Sequence, residues 1–124
     1  IREYLEAANR ERFVILQIED PEVLDDVEQI AELPGVDMLF FGPGDFSVAV
    51  GKPGQTADPE VAAARRRVAD AARGAGKMAG TPAVPENVRE MADLGFNFLT
   101  VGADVIGITQ YVDRMIAEIT AALA

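Results

Sequence analysis

Short apolar runs alternate with longer amphipathic stretches along the whole chain. Residues 1–9 read as the end of a helix that closes near Asn9. Phe13-Val14-Ile15-Leu16-Gln17-Ile18 follows, an apolar run with β-branched members that stops at Glu19-Asp20-Pro21. A run of that length bounded by turn residues predicts a buried strand. Pro21 suits the first turn of a helix, where its missing N–H costs nothing, and Val23, Val27, Ile30 and Ala31 then share one helical face. Leu33-Pro34-Gly35 ends that helix, and residues 36–41 predict a second strand. Residues 42–57, rich in Gly and Pro, read as a long connection, a type of segment that often carries function. Asp58-Pro59-Glu60 reads as an N-cap with Pro at the first helical position, leading an Ala-rich helix to about Gly74. A third strand is expected from Lys77 to Gly80, reaching Thr81-Pro82-Ala83, then a helix from Pro85 that ends before Gly95. Residues 98–102 predict a fourth strand. A terminal helix over 104–123 carries the stripe Ile108, Val112, Met115 and Ile119, widened by Tyr111, Ile116 and Leu123.

Four β-then-α units in succession predict an α/β fold with a parallel sheet. Right-handed crossovers turn all the C-terminal strand ends the same way, and that end is where such folds hold ligands. Glu19 closes the first strand and Asp45 follows the second, so two carboxylates are expected side by side at that end. Within the first strand the period of two puts Phe13, Ile15, Gln17 and Glu19 on one face, apolar below and polar above, as inside a barrel near its active end. A flavodoxin-like sheet also fits the length, but Gly42-Pro43-Gly44 is too short and lacks the Lys of a phosphate loop. Half of a (β/α)8 barrel fits at least as well. The chain reads as a single segment, 1–124, and as a piece of a longer protein, since it has no initiator Met and starts inside a helix.

Composition narrows the chemistry. Twenty-one acidic residues against 11 basic give a net charge of −10, which speaks against a nucleic-acid partner. With 0 Cys and 0 His, any metal must take oxygen ligands, which points to Mg²⁺ or Mn²⁺. The commonest general base is absent too. No apolar run approaches the about 18 residues of a membrane span, and the first residues lack the apolar core of a signal peptide. No membrane partner and a cytoplasmic location are therefore expected. Plainer readings stand beside these. Asp45 could cap a helix, and Glu19 could be a solvated first-turn acid favoured by the helix dipole. Arg65-Arg66-Arg67 reads as a solvated helix face, and the Tyr111/Met115 stripe as core or subunit contact.

Gln17-Ile18-Glu19-Asp20, Gly35-Val36-Asp37 and Phe41-Gly42-Pro43-Gly44-Asp45-Phe46-Ser47 with Gly51 resemble the signature of the HpcH/HpaI aldolases, metal-dependent class II pyruvate aldolases. Gly76-Lys77 and Val101-Gly102-Ala103-Asp104 match the same family in order and spacing. The resemblance implies that this chain supplies strands five to eight of a (β/α)8 barrel. It implies that Glu19 and Asp45 hold a divalent metal (Mg²⁺ or Mn²⁺, with Co²⁺ a third candidate) and that Gln17 lies near a bound 2-oxo acid. The turn of Gly42 and Gly44, with the amides around Gly44 and Asp45, would receive the substrate carboxylate, and Pro82 would line the aldehyde side. Gly44 stands where Ala is more usual, and Phe46 where Leu is. The family's Arg and its His-based proton-transfer pair would lie in the other half, so no catalytic residue is assigned in this chain. The implied activity is cleavage of a 4-hydroxy-2-oxo acid to pyruvate and an aldehyde, with the chain inactive alone. A CoA-ester lyase or synthase of the same superfamily, and a non-catalytic assembly half-barrel, are the alternatives. The expected partners are a small 2-oxo acid and either further copies of the chain or the missing half-barrel. Two open sheet edges are expected, with Phe13, Ile15, Leu39, Phe41, Leu99 and Val101 as exposed apolar surface and the terminal helix as a contact between subunits.

Overall fold

The computed structural model describes residues 1–124. Helix α1 (Arg2–Glu11) leads into strand β1 (Ile15–Ile18), a 3-10 segment (Pro21–Asp26) and helix α2 (Val27–Ala31). Strand β2 (Met38–Phe41) is followed by two helices, α3 (Pro43–Ala49) and α4 (Pro59–Gly74). Strand β3 (Met78–Ala83), helix α5 (Val88–Asp93), strand β4 (Phe98–Val101) and helix α6 (Asp104–Ala122) complete the chain. The four strands form one parallel sheet in chain order, β1-β2-β3-β4, as the alternation of strand and helix predicts.

Side chains fix where the ladder begins. The Val14 amide donates to Asp37 Oδ2 at 2.7 Å, while the Asp37 and Met38 amides both donate to the Val14 carbonyl. That exchange occupies the backbone below Ile15 and Met38, so β1 and β2 start two residues later than their apolar runs suggest. Asn97 repeats the device, its Oδ1 accepting from the Ala79 amide at 3.0 Å. With register so fixed, the pleat separates the residues cleanly, because a slip of one would swap the two faces.

One face packs against helices. Ile18, Leu39, Phe41, Ala79 and Ala83 meet Val27, Ala31, Val61, Ala64, Val68, Ala72 and Met91 in a single buried cluster. The alanines of α4 let that helix approach closely, and a fully buried side chain of the size of Phe41 contributes about 1.5–3 kcal/mol. On the opposite face Gln17, Phe40 and Gly80 stand in register. A Cβ on Gly80 would lie 2.6 Å from Phe40 Cδ2 and 2.9 Å from Met38 Sδ, so the Phe40 ring occupies the place of the missing side chain.

Several expectations are corrected. The connection over 42–57 is not irregular throughout, because Pro43–Ala49 forms α3; Pro43 at the first position pre-sets its φ. The segment after Pro21 opens as a 3-10 turn capped by Asp20, whose side chain accepts from the Glu22 amide. Pro85 does not begin α5: Val84 and Asn87 first close a turn on each other, and the helix starts at Val88. Strand β3, by contrast, reaches Thr81-Pro82-Ala83 as expected, because these residues pair with Leu99, Thr100 and Val101.

The exposed apolar surface is also different from the one expected. Leu39 and Phe41 are fully buried and Leu99 packs against the core, since the period of two turns all three toward the helices. Phe13, Ile15 and Val101 are exposed, and so is Phe98. Helices α1 and α6 bury no residue at all, so the α6 stripe (Val105, Ile108, Val112, Ile116 and Ile119 among it) lies open. β1 and β4 each pair on one side only.

Candidate active site

Gln17 and Glu19 leave β1 on the same face, and the Gln17 side-chain amide donates to Glu19 Oε2. Gly42, the residue after β2, is buried directly against them. A Cβ there would stand 3.1 Å from Gln17 Nε2, 3.1 Å from Glu19 Oε2 and 3.2 Å from Glu19 Cβ. The Gly42 amide donates to the Ile18 carbonyl at 3.0 Å and its carbonyl accepts from the Phe46 amide at 3.0 Å. The turn is thus held from both sides, and the space a side chain would take is given to Gln17 and Glu19.

Asp45 lies in the first turn of α3, whose N-cap is Gly42 with no side-chain cap bond. The plain reading of Asp45 as a capping residue therefore does not hold. Glu19 likewise stands outside the following helical turn, which Asp20 caps. Both carboxylates line one open cleft of about 460 Å³ together with Asp20, Pro21, Glu22, Val48 and Ala49. Of the five site residues that the sequence singles out near β1 and β2, Gln17, Glu19 and Gly42 thus touch, and Asp45 shares a cleft with Glu19. Gly44 is exposed beside Asp45, and a Cβ on it would meet nothing within 4 Å. Gly in place of Ala therefore alters no packing. Phe46 is buried with its ring centroid 5.4 Å from that of Phe41, so the larger ring serves the core behind the site. Pro82 is exposed on β3 and borders a second, smaller cleft. No group of three or more acidic side chains converges as a ready-made metal cage.

The loop beyond α3 is tied down by groups the sequence reading passed over. Ser47, fully buried, donates to the Gly44 carbonyl at 2.6 Å and accepts from the Gly54 amide at 3.0 Å. Lys52 Nζ reaches Asp58 Oδ1 at 2.6 Å and Glu60 Oε2 at 2.9 Å. The hydrogen bond to Asp58 raises the Lys52 pKa, and the same bond lowers that of Asp58. Across α2 and α4, Arg67 bonds Glu28 and holds its carboxyl below the ordinary range. The Arg65-Arg66-Arg67 run is not one solvated face. Arg66 is exposed, Arg67 is half-buried in that ion pair, and Arg65 is buried on the sheet side of α4. A triplet cannot lie on one face at 100° per residue, and that periodicity was the signal available to find it.

The family model for "HpcH/HpaI aldolase/citrate lyase" matches residues 1–110. The chain belongs to the HpcH/HpaI family. A hydroxypyruvate/pyruvate aldolase of Chromohalobacter salexigens is 41% identical over 106 residues, which cover 85% of this chain and 42% of the relative. A 2-keto-3-deoxy-L-rhamnonate aldolase of Klebsiella pneumoniae is 34% identical over 118 residues, 94% of this chain and 44% of the relative. Among solved structures, an HpcH/HpaI aldolase/citrate lyase family protein of Burkholderia cenocepacia superposes with a TM-score of 0.86 at 36% identity, over 96% of this chain and 47% of the other. The chain thus spans less than half the length of the relatives it matches, and its parallel α/β sheet is that of the HpcH/HpaI aldolases.

Proposed function

We propose that the protein carrying this chain is a divalent-metal-dependent class II aldolase that cleaves a 4-hydroxy-2-oxo acid to pyruvate and an aldehyde. In this reading the chain contributes strands five to eight of the barrel. The observation that carries it is the shared cleft of Glu19 and Asp45 at the C-terminal ends of adjacent parallel strands. The donor set fits a hard cation, because both side chains offer oxygen, and Gly42 leaves the room in which Glu19 and Gln17 sit. Glu19 and Asp45 would hold Mg²⁺, Mn²⁺ or Co²⁺. A bound cation of this kind supplies Lewis-acid polarisation of the keto oxygen.

The chain's own residues supply the rest of the binding. The Gln17 amide fixes one Glu19 oxygen by its hydrogen bond and leaves the other free to ligate. The amides of Gly44 and Asp45, in the first turn of α3, have no intrahelical partner by helix geometry and suit the carboxylate of the 2-oxo acid. Pro82 would border the aldehyde side. With no histidine in the chain, proton transfer falls to groups from elsewhere in the assembly. A CoA-ester lyase is disfavoured, since the Glu19–Asp45 cleft is lined by Asp20 and Glu22 and by no basic residue.

The uncovered apolar stripe of α6 and the open edges of β1 and β4 favour assembly, either with the other half-barrel or with further copies through α6. No helix is long and apolar enough to cross a membrane, and we place the protein in the cytoplasm, to be checked by fractionation. The decisive experiment follows metal-dependent exchange of pyruvate methyl protons with solvent in the full-length protein. Exchange that requires Mn²⁺ or Mg²⁺ and disappears in Glu19→Ala, with the fold kept by circular dichroism, is the expected result. Exchange that persists after chelation, or in that variant, refutes the assignment.

A further inference from the structure

Arg65 stands on the sheet-facing side of α4, only 7% exposed, where an amphipathic helix ordinarily presents an apolar residue. Its guanidinium carbon lies 6.0 Å from the centre of the Phe41 ring, and Nη2 donates to the Thr56 carbonyl at 2.7 Å. Nε is enclosed and has no hydrogen-bond partner. Arg65 also lines a larger cleft that holds Glu28, Asp70 and Glu90, of which Glu28 is taken by Arg67 and Asp70 by Arg73. Burial works against the charged form of Arg65, and Glu90, acting at longer range, is the charge that favours it. A guanidinium remains protonated even so, and a buried cation without a paired anion is strongly unfavourable.

The same side chain borders a cleft of about 220 Å³ lined by Pro43, Thr56, Pro82, Ala83, Val84 and Asn87. This cleft opens at the C-terminal ends of β2 and β3, on the side of the Gly42–Gly44 turn where Pro82 emerges. Asn87 spends its side-chain oxygen on the Val84 amide at 2.8 Å, which leaves its amide nitrogen as a donor. In a chain of net charge −10, the lining contains no acid. The three other clefts of the molecule each contain at least two. With Nε enclosed and Nη2 donating to Thr56, the remaining guanidinium N–H groups are the donors left for a carboxylate or phosphate oxygen, and the volume is ample for such a group.

We propose that this cleft binds a small oxyanion, the carboxylate or phosphate group of a ligand, with Arg65 as its cation and the Asn87 amide as a second donor. Because Pro82 forms one wall, the anion is the terminal group of the aldehyde component. That last clause rests on the aldolase reading; the site itself does not. Arg65 is then a specificity residue reached from the helical layer, and not a clamp for the 50–58 loop alone.

The test is a titration of the ¹⁵N-labelled protein with inorganic phosphate and, separately, malonate, at constant ionic strength set with chloride. The Arg65 Nε–H and Asn87 side-chain resonances report on the cleft. Saturable shifts with a millimolar dissociation constant, weakened at least tenfold in Asn87→Asp, are expected. Asn87→Asp keeps the acceptor for the Val84 amide, so the turn survives while a negative charge enters the cleft. Shifts that never saturate, match those from chloride or are unchanged in Asn87→Asp overturn the site. The stronger of the phosphate and malonate arms identifies the oxyanion. In the full-length protein, Arg65→Met should lower kcat/KM at least tenfold for an aldehyde bearing a carboxylate or phosphate, and less than twofold for a neutral one. An equal loss for both overturns the aldehyde assignment. Absence of any aldol activity refutes the aldolase reading and leaves the titration to stand by itself.

Discussion

Gly42→Ala separates the metal site from the fold that carries it. The new methyl would sit 3.1 Å from both Gln17 Nε2 and Glu19 Oε2, against the roughly 3.5–4.0 Å of comfortable non-bonded contact. Something must move by a few tenths of an ångström or more. The Gly42 backbone is pinned to Ile18 and Phe46, so the side chains of Gln17 and Glu19 yield. Alanine accepts the local backbone at φ −98 without strain, and replacing Gly at a compatible position stabilises by about 0.4–1 kcal/mol through the unfolded chain. Mg²⁺ demands near-ideal oxygen geometry at about 2.0–2.1 Å, and disturbing the groups that orient a ligand typically costs about 10–100-fold in affinity. The two effects have opposite signs. Mn²⁺ binding, followed by calorimetry or electron spin resonance, should weaken by about tenfold or more, while the melting temperature stays level or rises. Affinity within a factor of about two of the unsubstituted protein, in a folded variant, would refute the placement of Glu19 as a ligand held by Gln17.

Other outcomes are equally definite. Phe41→Ala, which empties a fully buried site between Phe46 and Arg65, should destabilise by about 3–5 kcal/mol in urea unfolding. The Lys52–Asp58 link should lose its contribution in acid as pH falls through the folded pKa of Asp58, which lies below the usual 3.8. It should lose it in base as pH rises through the folded pKa of Lys52, above the usual 10.5. Between those limits protection of the Gly54 amide against hydrogen exchange should be flat in pH, and Lys52→Met should remove the acid limb. The 124-residue chain alone should release no pyruvate from a 4-hydroxy-2-oxo acid; release that depends on Glu19 would disprove this.

Much of this architecture can be read directly from residue order. The β-then-α alternation yields the parallel sheet in its true strand order, and the Gln17/Glu19 period places both side chains on the face where they are found together. Helix α3 stays hidden because Gly-Pro-Gly at its start reads as loop, and its stability comes from burying Phe46 and Ser47, a tertiary effect. The exposed apolar set is misread at Leu39, Phe41 and Leu99 for a geometric reason: run composition says that a strand is buried, but only register says toward which side. Arg65 escapes for a related cause, since a charged triplet looks solvated until the helix faces are counted.

Helix α6 has a thermodynamic consequence of its own. A 19-residue helix that buries nothing has only its local propensity to keep it wound, whereas most helical stability in proteins comes from packing an amphipathic face. Its winding is therefore coupled to whatever covers its stripe, and by mass action that coupling depends on concentration. Ellipticity at 222 nm per residue should then climb with protein concentration, as α6 passes from a fraying arm to a docked one. Helix α6 would serve as a built-in gauge of assembly.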